Sequence, residues 1–230
     1  MLQLPKVIGH RGAAAYAPEN TLASFHEARR RGATWVEIDV KLTADGVPIV
    51  MHDASLKRTM GVDRLVAETS RAELPADVPT FEEAIACFAE LGLGCNVELK
   101  PCEGREVETA RMTVETLRRC WPVSLPPPLL SSFKAASLAA AREAAPEFVR
   151  AILLGEIGED WRSRTDAVGA MGVNTNGTKL TAPRAVEIRK AGYALSVYTI
   201  DDADVAKALI GMGVDCIITD APDIILAAIN

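Results

Sequence analysis

The chain has 230 residues, enough for one α/β barrel, a fold that typically takes ~250 residues, without calling for a second domain. It is 49% hydrophobic and 24% charged, the balance of a folded globular protein, which excludes a disordered one. A formal net charge of −6 with scattered lysines and arginines excludes a polyanion-binding surface, so no nucleic-acid partner is expected, and it leaves room for a small anionic substrate.

The opening stretch MLQLPKVIGH carries no basic segment leading into a long apolar run, and no apolar stretch in the chain approaches ~18 residues. Neither a secretory signal nor stable membrane association is expected, and the predicted location is cytoplasmic. Five cysteines (Cys87, Cys95, Cys102, Cys120 and Cys216), odd in number and without C-x-x-C spacing, fit reduced thiols acting as small buried hydrophobes.

Short β-branched runs recur at KVIGH (6–10), WVEIDV (35–40), CNVELK (95–100), LLSSF (129–133), RAILL (150–154), GVNTN (172–176), ALSVYTI (194–200) and CIITD (216–220). Between most of them lie segments of helical spacing closed by glycine, such as TLASFHEARRRG and PRAVEIRKAGY. Repeated strand-helix units imply parallel strands with helical crossovers, and eight of them close a (β/α)8 barrel of one domain over 1–230. A ninth run, VPIVMH (47–52), follows WVEIDV after only KLTADG, too short for a parallel crossover, so a β-hairpin is predicted after the second strand. With Asp45-Gly46 as a two-residue turn, Ala44 pairs with Val47, and Asp39 falls opposite His52. The proline cluster SLPPPLL (124–130) reads as a stiff loop.

Residues two apart on a strand share a face, so Glu37 and Asp39 face one way, as do Glu98 and Lys100. Three carboxylates and a lysine at one barrel mouth are costly to bury unless a cation compensates them, and oxygen-only ligands favour Mg²⁺ or Ca²⁺ over Zn²⁺. His10 and His52, two of three histidines, each follow an apolar run at a strand end. Converging beside carboxylates, they read as general acid and base. His26, inside the first predicted helix, reads as structural. Arg11 has the fork of donors that binds a phosphate oxygen. Glu19, Asn20 and Thr21 precede a helix, where they either cap it or orient Arg11 or a histidine.

HRG followed by PENT, then EIDVKLTADGVPIVMHD and VELK, resemble the glycerophosphodiester phosphodiesterase family, closest to its bacterial cytosolic form. The resemblance continues through PPLLSSF, AAPE, VYTID and GVDCIITDAPD. It implies a TIM barrel that hydrolyses small glycerophosphodiesters to sn-glycerol 3-phosphate and an alcohol, with one divalent metal ion, Mg²⁺ or Ca²⁺. By the same resemblance Glu37, Asp39 and Glu98 match metal ligands, His10 and His52 the catalytic acid/base pair, and Arg11 and Lys100 the cations that hold the phosphate. Glu19 and Asn20 fall in a supporting element.

Two departures stand out. The segment DASLKRTMGVDRLVAETSRAELPAD (53–77) is compact where the family carries a longer insertion over the glycerol end of the pocket, and Tyr198 stands where many relatives have tryptophan. The alternative is a related phosphodiesterase that acts on lysophospholipids or forms cyclic phosphates; its acyl-chain substrates call for an exposed apolar groove or a membrane-binding helix, and the sequence shows no basic amphipathic segment for that purpose. A non-catalytic phosphate-ester-binding barrel would lack a histidine or a carboxylate of the set, and none is missing. The alcohol group and the oligomeric state are not specified by the sequence.

Overall fold

The computed structural model describes residues 2–229. Every predicted run forms a strand: β1 (Val7–Gly9), β2 (Trp35–Leu42), β3 (Pro48–Val50), β4 (Gly94–Leu99), β5 (Leu129–Ser132), β6 (Val149–Leu154), β7 (Gly172–Asn176), β8 (Ala194–Tyr198) and β9 (Cys216–Thr219). All but β3 are parallel neighbours in the order β1-β9-β8-β7-β6-β5-β4-β2, and Gly9 pairing with Val36 closes the ring. The helices are α1 (Leu22–Arg30), α2 (Lys57–Met60), α3 (Phe81–Leu91), α4 (Glu106–Cys120), α5 (Ala135–Ala144), α6 (Trp161–Ala167), α7 (Ala182–Lys190), α8 (Ala203–Gly211) and α9 (Pro222–Ile229). Thr21 and Thr80 start α1 and α3 with capping boxes completed by Ser24 and Glu83. The architecture is the (β/α)8 TIM barrel.

Strand alternation decides what each face carries. Val36, Ile38 and Val40 of β2, with Cys95, Val97 and Leu99 of β4, pack outward against Phe25 of α1 and Phe81 and Phe88 of α3. The intervening residues therefore face the barrel interior: Trp35, Glu37, Asp39 and Lys41 on one strand, Gly94, Asn96 and Glu98 on the next. The register sets them in rungs, Trp35 beside Gly94, Glu37 beside Asn96 and Asp39 beside Glu98. Trp35 packs with Ile8, Cys216 and Ile218 as an apolar floor, and each rung above it is more polar until the C-terminal mouth is charged.

Gly94 is there because of Trp35: a Cβ at 94 would lie 2.3 Å from the indole ring. Gly94→Ala is expected to cost about 1–3 kcal/mol by overpacking, read as a fall in thermal midpoint of roughly 2–4 °C per kcal/mol at this chain length. An unchanged melting curve would mean the floor has slack.

The hairpin forms, with a register one residue from that predicted. Val40 pairs with Val50 and Leu42 with Pro48, and Met51 N donates to Asp39 O at 2.9 Å, so Asp39 lies opposite Met51, not His52. The loop holds three residues, Ala44-Asp45-Gly46. Thr43 N donates to Val47 O, Gly46 N to Thr43 O, and Gly46 takes φ +79°, the left-handed position of a three-residue hairpin. Asp45 Oδ1 accepts from Thr43 Oγ1 at 2.6 Å and from Arg71 N at 3.0 Å, which favours this turn over a two-residue one. After β3 the chain folds through α2 and two 3-10 turns (Val66–Glu68 and Arg71–Glu73). Leu56, Val66, Leu74 and Val78 there form a small apolar cluster with Ile49 and Met51.

Candidate active site

The turn after β1 is held in a conformation that needs its glycines. A Cβ at Gly9 would fall 2.1 Å from Gly12 O, and one at Gly12, where φ is +93°, 2.4 Å from Ser24 Oγ. Arg11 itself is left-handed, φ +50°, a costly state for a residue with a Cβ unless neighbours over-determine it. They do: Arg11 O accepts from Ser24 Oγ at 2.8 Å and Asn20 N at 3.0 Å, and Arg11 N donates to Glu37 Oε2 at 3.1 Å. His10 N donates to Thr219 O of β9 at 2.7 Å. The turn thus aims His10 and Arg11 over the barrel mouth.

Glu19, Asn20 and Thr21 take separate parts. Thr21 caps α1. Glu19 Oε1 accepts from Arg11 Nη1 at 2.7 Å. Asn20, also left-handed at φ +58°, donates through Nδ2 to Asp39 Oδ2 at 2.9 Å.

Glu37, Asp39 and Glu98 are buried, and each brings one carboxylate oxygen within 4.8 Å of the others. Lys100 Nζ lies 3.0 Å from Asp39 Oδ1 and 3.1 Å from Glu98 Oε1, and Arg11 Nε 3.4 Å from Asp39 Oδ2. Burial first, then the charge of Asp39, pushes Glu37 up to about 7 and Glu98 up to about 8. Asp39, despite its own burial, is held down to about 2 by Lys100 and Arg11. The nearby cations therefore hold down only Asp39, although Lys100 touches Glu98 as well. Clustered oxygen donors with unbalanced negative charge fit a hard divalent cation.

Each histidine is backed by a carboxylate. His10 Nδ1 donates to Asp220 Oδ1 at 2.7 Å, and its Nε2 lies 3.9 Å from Glu37 Oε2. Burial opposes its charge, yet the Asp220 hydrogen bond and the Glu37 field prevail, and its pKa is raised. His52 Nδ1 donates to Asp53 Oδ1 at 2.6 Å. There burial outweighs Asp39 and Asp53, and the pKa is lowered. With Nδ1 engaged, Nε2 is the nitrogen left for a ligand in both rings.

A cleft of about 270 Å³ gathers His10, Arg11, Glu37, His52, Glu98 and Lys100. Asp39, fully buried, is bonded to Lys100 of that lining. Phe133, Leu153, Tyr198 and Ile218 form an apolar wall, with Phe133 and Tyr198 edge to face at 6.0 Å. Tyr198, at the position noted above, donates to Leu154 O at 3.2 Å. Asn96 Oδ1 and Ser131 Oγ line the same cleft, buried and with no partner among the described residues. No side chain of 53–80 lines it, and His26 points outward from α1.

Three residues here escaped the sequence reading. Asp53 directly follows His52, and Asp220 sits at the end of β9, the mouth position already applied to the other strands. Both were findable as strand-end acids. Arg58 of α2 carried no such signal. Its guanidinium donates to both Glu19 oxygens at 2.7 Å and to Asp53 Oδ2 at 2.6 Å, joining the acid behind Arg11 to the acid behind His52.

The model of the Glycerophosphoryl diester phosphodiesterase family matches residues 10–224. An Oleispira antarctica phosphodiesterase, solved in complex with the product sn-glycerol-3-phosphate, is 39% identical with a TM-score of 0.96, covering 98% of this chain and 97% of that one. A glycerophosphodiester phosphodiesterase from Agrobacterium tumefaciens is 28% identical with a TM-score of 0.82, over 97% of this chain and 100% of that one. A Bacillus altitudinis glycerophosphodiester phosphodiesterase is 27% identical over 96% of each chain. The match spans all eight barrel units and the loops that carry the cleft, and the chain belongs to the glycerophosphoryl diester phosphodiesterase family of enzymes.

Proposed function

We propose that this protein hydrolyses glycerophosphodiesters to sn-glycerol 3-phosphate and an alcohol, using His10 and His52 as acid and base and one divalent ion, Mg²⁺ or Ca²⁺, at Glu37, Asp39 and Glu98. The observation that carries this reading is one cleft holding two carboxylate-backed histidines, Arg11 and Lys100 beside the acidic triad, in a chain 39% identical to an enzyme solved with that product.

The bound cation would supply positive charge against the phosphorus oxygens and lower the pKa of the attacking group. Everything else falls to the chain. Arg11, pinned by Glu19, and Lys100, pinned by Asp39 and Glu98, hold the anionic phosphate oxygens and offset the charge that builds on them. In the first step the glycerol 2-hydroxyl oxygen bonds to phosphorus and gives its proton to one histidine. The bond from phosphorus to the alcohol oxygen breaks, and that oxygen takes a proton from the other. Water then opens the cyclic phosphate with the two histidines in exchanged roles. Rapid-quench samples are expected to contain the cyclic phosphate; its complete absence would favour direct attack by water. The unpaired Asn96 Oδ1 and Ser131 Oγ supply acceptors for glycerol hydroxyls.

The substrate is read as a small soluble diester. The net charge of −6 supports the absence of a nucleic-acid partner, and no helix among the described residues is long and apolar enough to cross a membrane. Five free cysteines support a reducing, cytoplasmic setting.

The deciding experiment follows release of sn-glycerol 3-phosphate from choline, ethanolamine and glycerol diesters, before and after chelation and with Mg²⁺ or Ca²⁺ restored. Release that stops with chelator and returns with one ion supports the proposal. No release with either ion overturns it.

Arg58 enters as a positioning residue. Arg58→Ala is expected to lower kcat about 10-fold, with KM changed less than threefold, because both acids lose their common anchor. Arg58→Lys, which cannot bridge two carboxylates with a planar fork, should recover little. Full activity in Arg58→Ala would show that Asp53 and Glu19 hold their partners unaided.

A further inference from the structure

A second groove, of about 280 Å³, opens beside the cleft and shares Glu98, Lys100 and Phe133 with it; Lys41, Ser132 and Lys134 line the rest together with Leu99 and Pro101. Lys41 continues the inward alternation of Glu37 and Asp39 on β2 and is 3% exposed. Its Nζ donates to Lys100 O at 2.9 Å, one bond for an ammonium that carries three donors. Lys134, at the start of α5, is exposed at the outer end. Among the described residues neither lysine forms an ion pair with a carboxylate, and Glu98, the one acid lining the groove, is bonded to Lys100. Two ammonium groups thus face the groove with no carboxylate in ion-pair contact, and for buried Lys41 an unpaired ammonium is costly.

Lys100 belongs to both spaces, so a phosphate held there has one substituent on each side. With the glycerol half in the cleft, against the apolar wall and the unpaired Asn96 and Ser131 atoms, the other substituent would leave along the lysine groove toward Lys134 and solvent.

We propose that the groove is a subsite for the alcohol half of the diester and selects alcohols that carry a phosphate group. The chemistry is that of two ammonium groups meeting a dianion. This rests on the glycerophosphodiesterase reading above and adds the class of alcohol to it.

The test compares kcat/KM at low salt, with the metal-loaded protein, for diesters of glycerol phosphate with choline, with glycerol and with a glycerol phosphorylated at its far end. The wild type is expected to favour the phosphorylated alcohol over choline about 10-fold, a preference that high salt erodes. Lys134→Glu should abolish or invert that ratio while leaving the plain glycerol diester within about twofold, since a rim charge acts on the charged partner. Lys41→Met should lower the ratio in the same direction. An equal ratio in wild type and Lys134→Glu, or a wild type with no preference, overturns the subsite. If none of the three diesters turns over, it is the activity reading that fails. Calorimetric binding of the same diesters then still decides the groove: affinity for the phosphorylated one that Lys134→Glu loses supports it, and equal affinity overturns it.

Discussion

His52→Ala is expected to lower kcat by about 10²–10⁴-fold, the range that general acid/base groups contribute, and His10→Ala by a similar factor. The two enter the cleft from different elements, His10 from the end of β1 and His52 from beyond β3, yet each has Nδ1 bound to a carboxylate at 2.7 Å or 2.6 Å. That bond fixes the tautomer and the ring plane, so truncation removes a pre-aimed proton carrier. Neither ring belongs to an apolar core cluster. Thermal midpoint and cation affinity should therefore stay close to wild type. Asp53 keeps its two bonds to Arg58 when His52 is lost, which preserves the local loop. Near-normal turnover in either variant, checked by glycerol 3-phosphate release at saturating substrate, would remove that residue from the chemistry.

Glu98→Gln should weaken cation affinity by at least the ~10–100-fold that outer-sphere partners cost, and raised cation concentration should restore part of the rate. The same change bears on stability with a definite sign. In the metal-free fold Glu37 and Glu98 sit at about 7 and about 8 against an ordinary 4.5, so the folded state binds protons more tightly than the unfolded one. Their contribution is fully present below about pH 4.5 and is lost as pH rises through 7 to 8. Asp39, lowered to about 2 from 3.8, works the other way and only in the acid range. The chelated protein should therefore lose thermal midpoint between about pH 5 and pH 8. A bound divalent cation should flatten that loss, and Glu98→Gln should flatten it in the chelated protein as well. Calorimetric melts across this range with chelator or cation check all three. A wild-type midpoint indifferent to both pH and cation would place the cation elsewhere.

Much of the molecule was legible from periodicity. The runs from KVIGH to CIITD alternate with helical segments, and each became a strand because β-branched composition and side-chain alternation are local properties. The same alternation put Glu37 with Asp39 and Glu98 with Lys100 before any contact was known. The compact segment after His52, folded on its own apolar cluster, supplies Arg58 to the network behind the histidine and contributes no wall to the cleft.

The sequence by itself determined the closed barrel, the strand ends from which His10, Arg11, His52 and Lys100 project, and the shared face of the acids, since period-two alternation needs no knowledge of partners. Only the tertiary structure decided the hairpin register, because side-chain bonds from Thr43 and Arg71 to Asp45 choose the turn. It alone brought Asp220 to His10 across 210 residues and Arg58 to Glu19 across 39. Such pairings depend on which distant side chains the closed barrel and its packed loops bring together, and no local pattern along the chain encodes that.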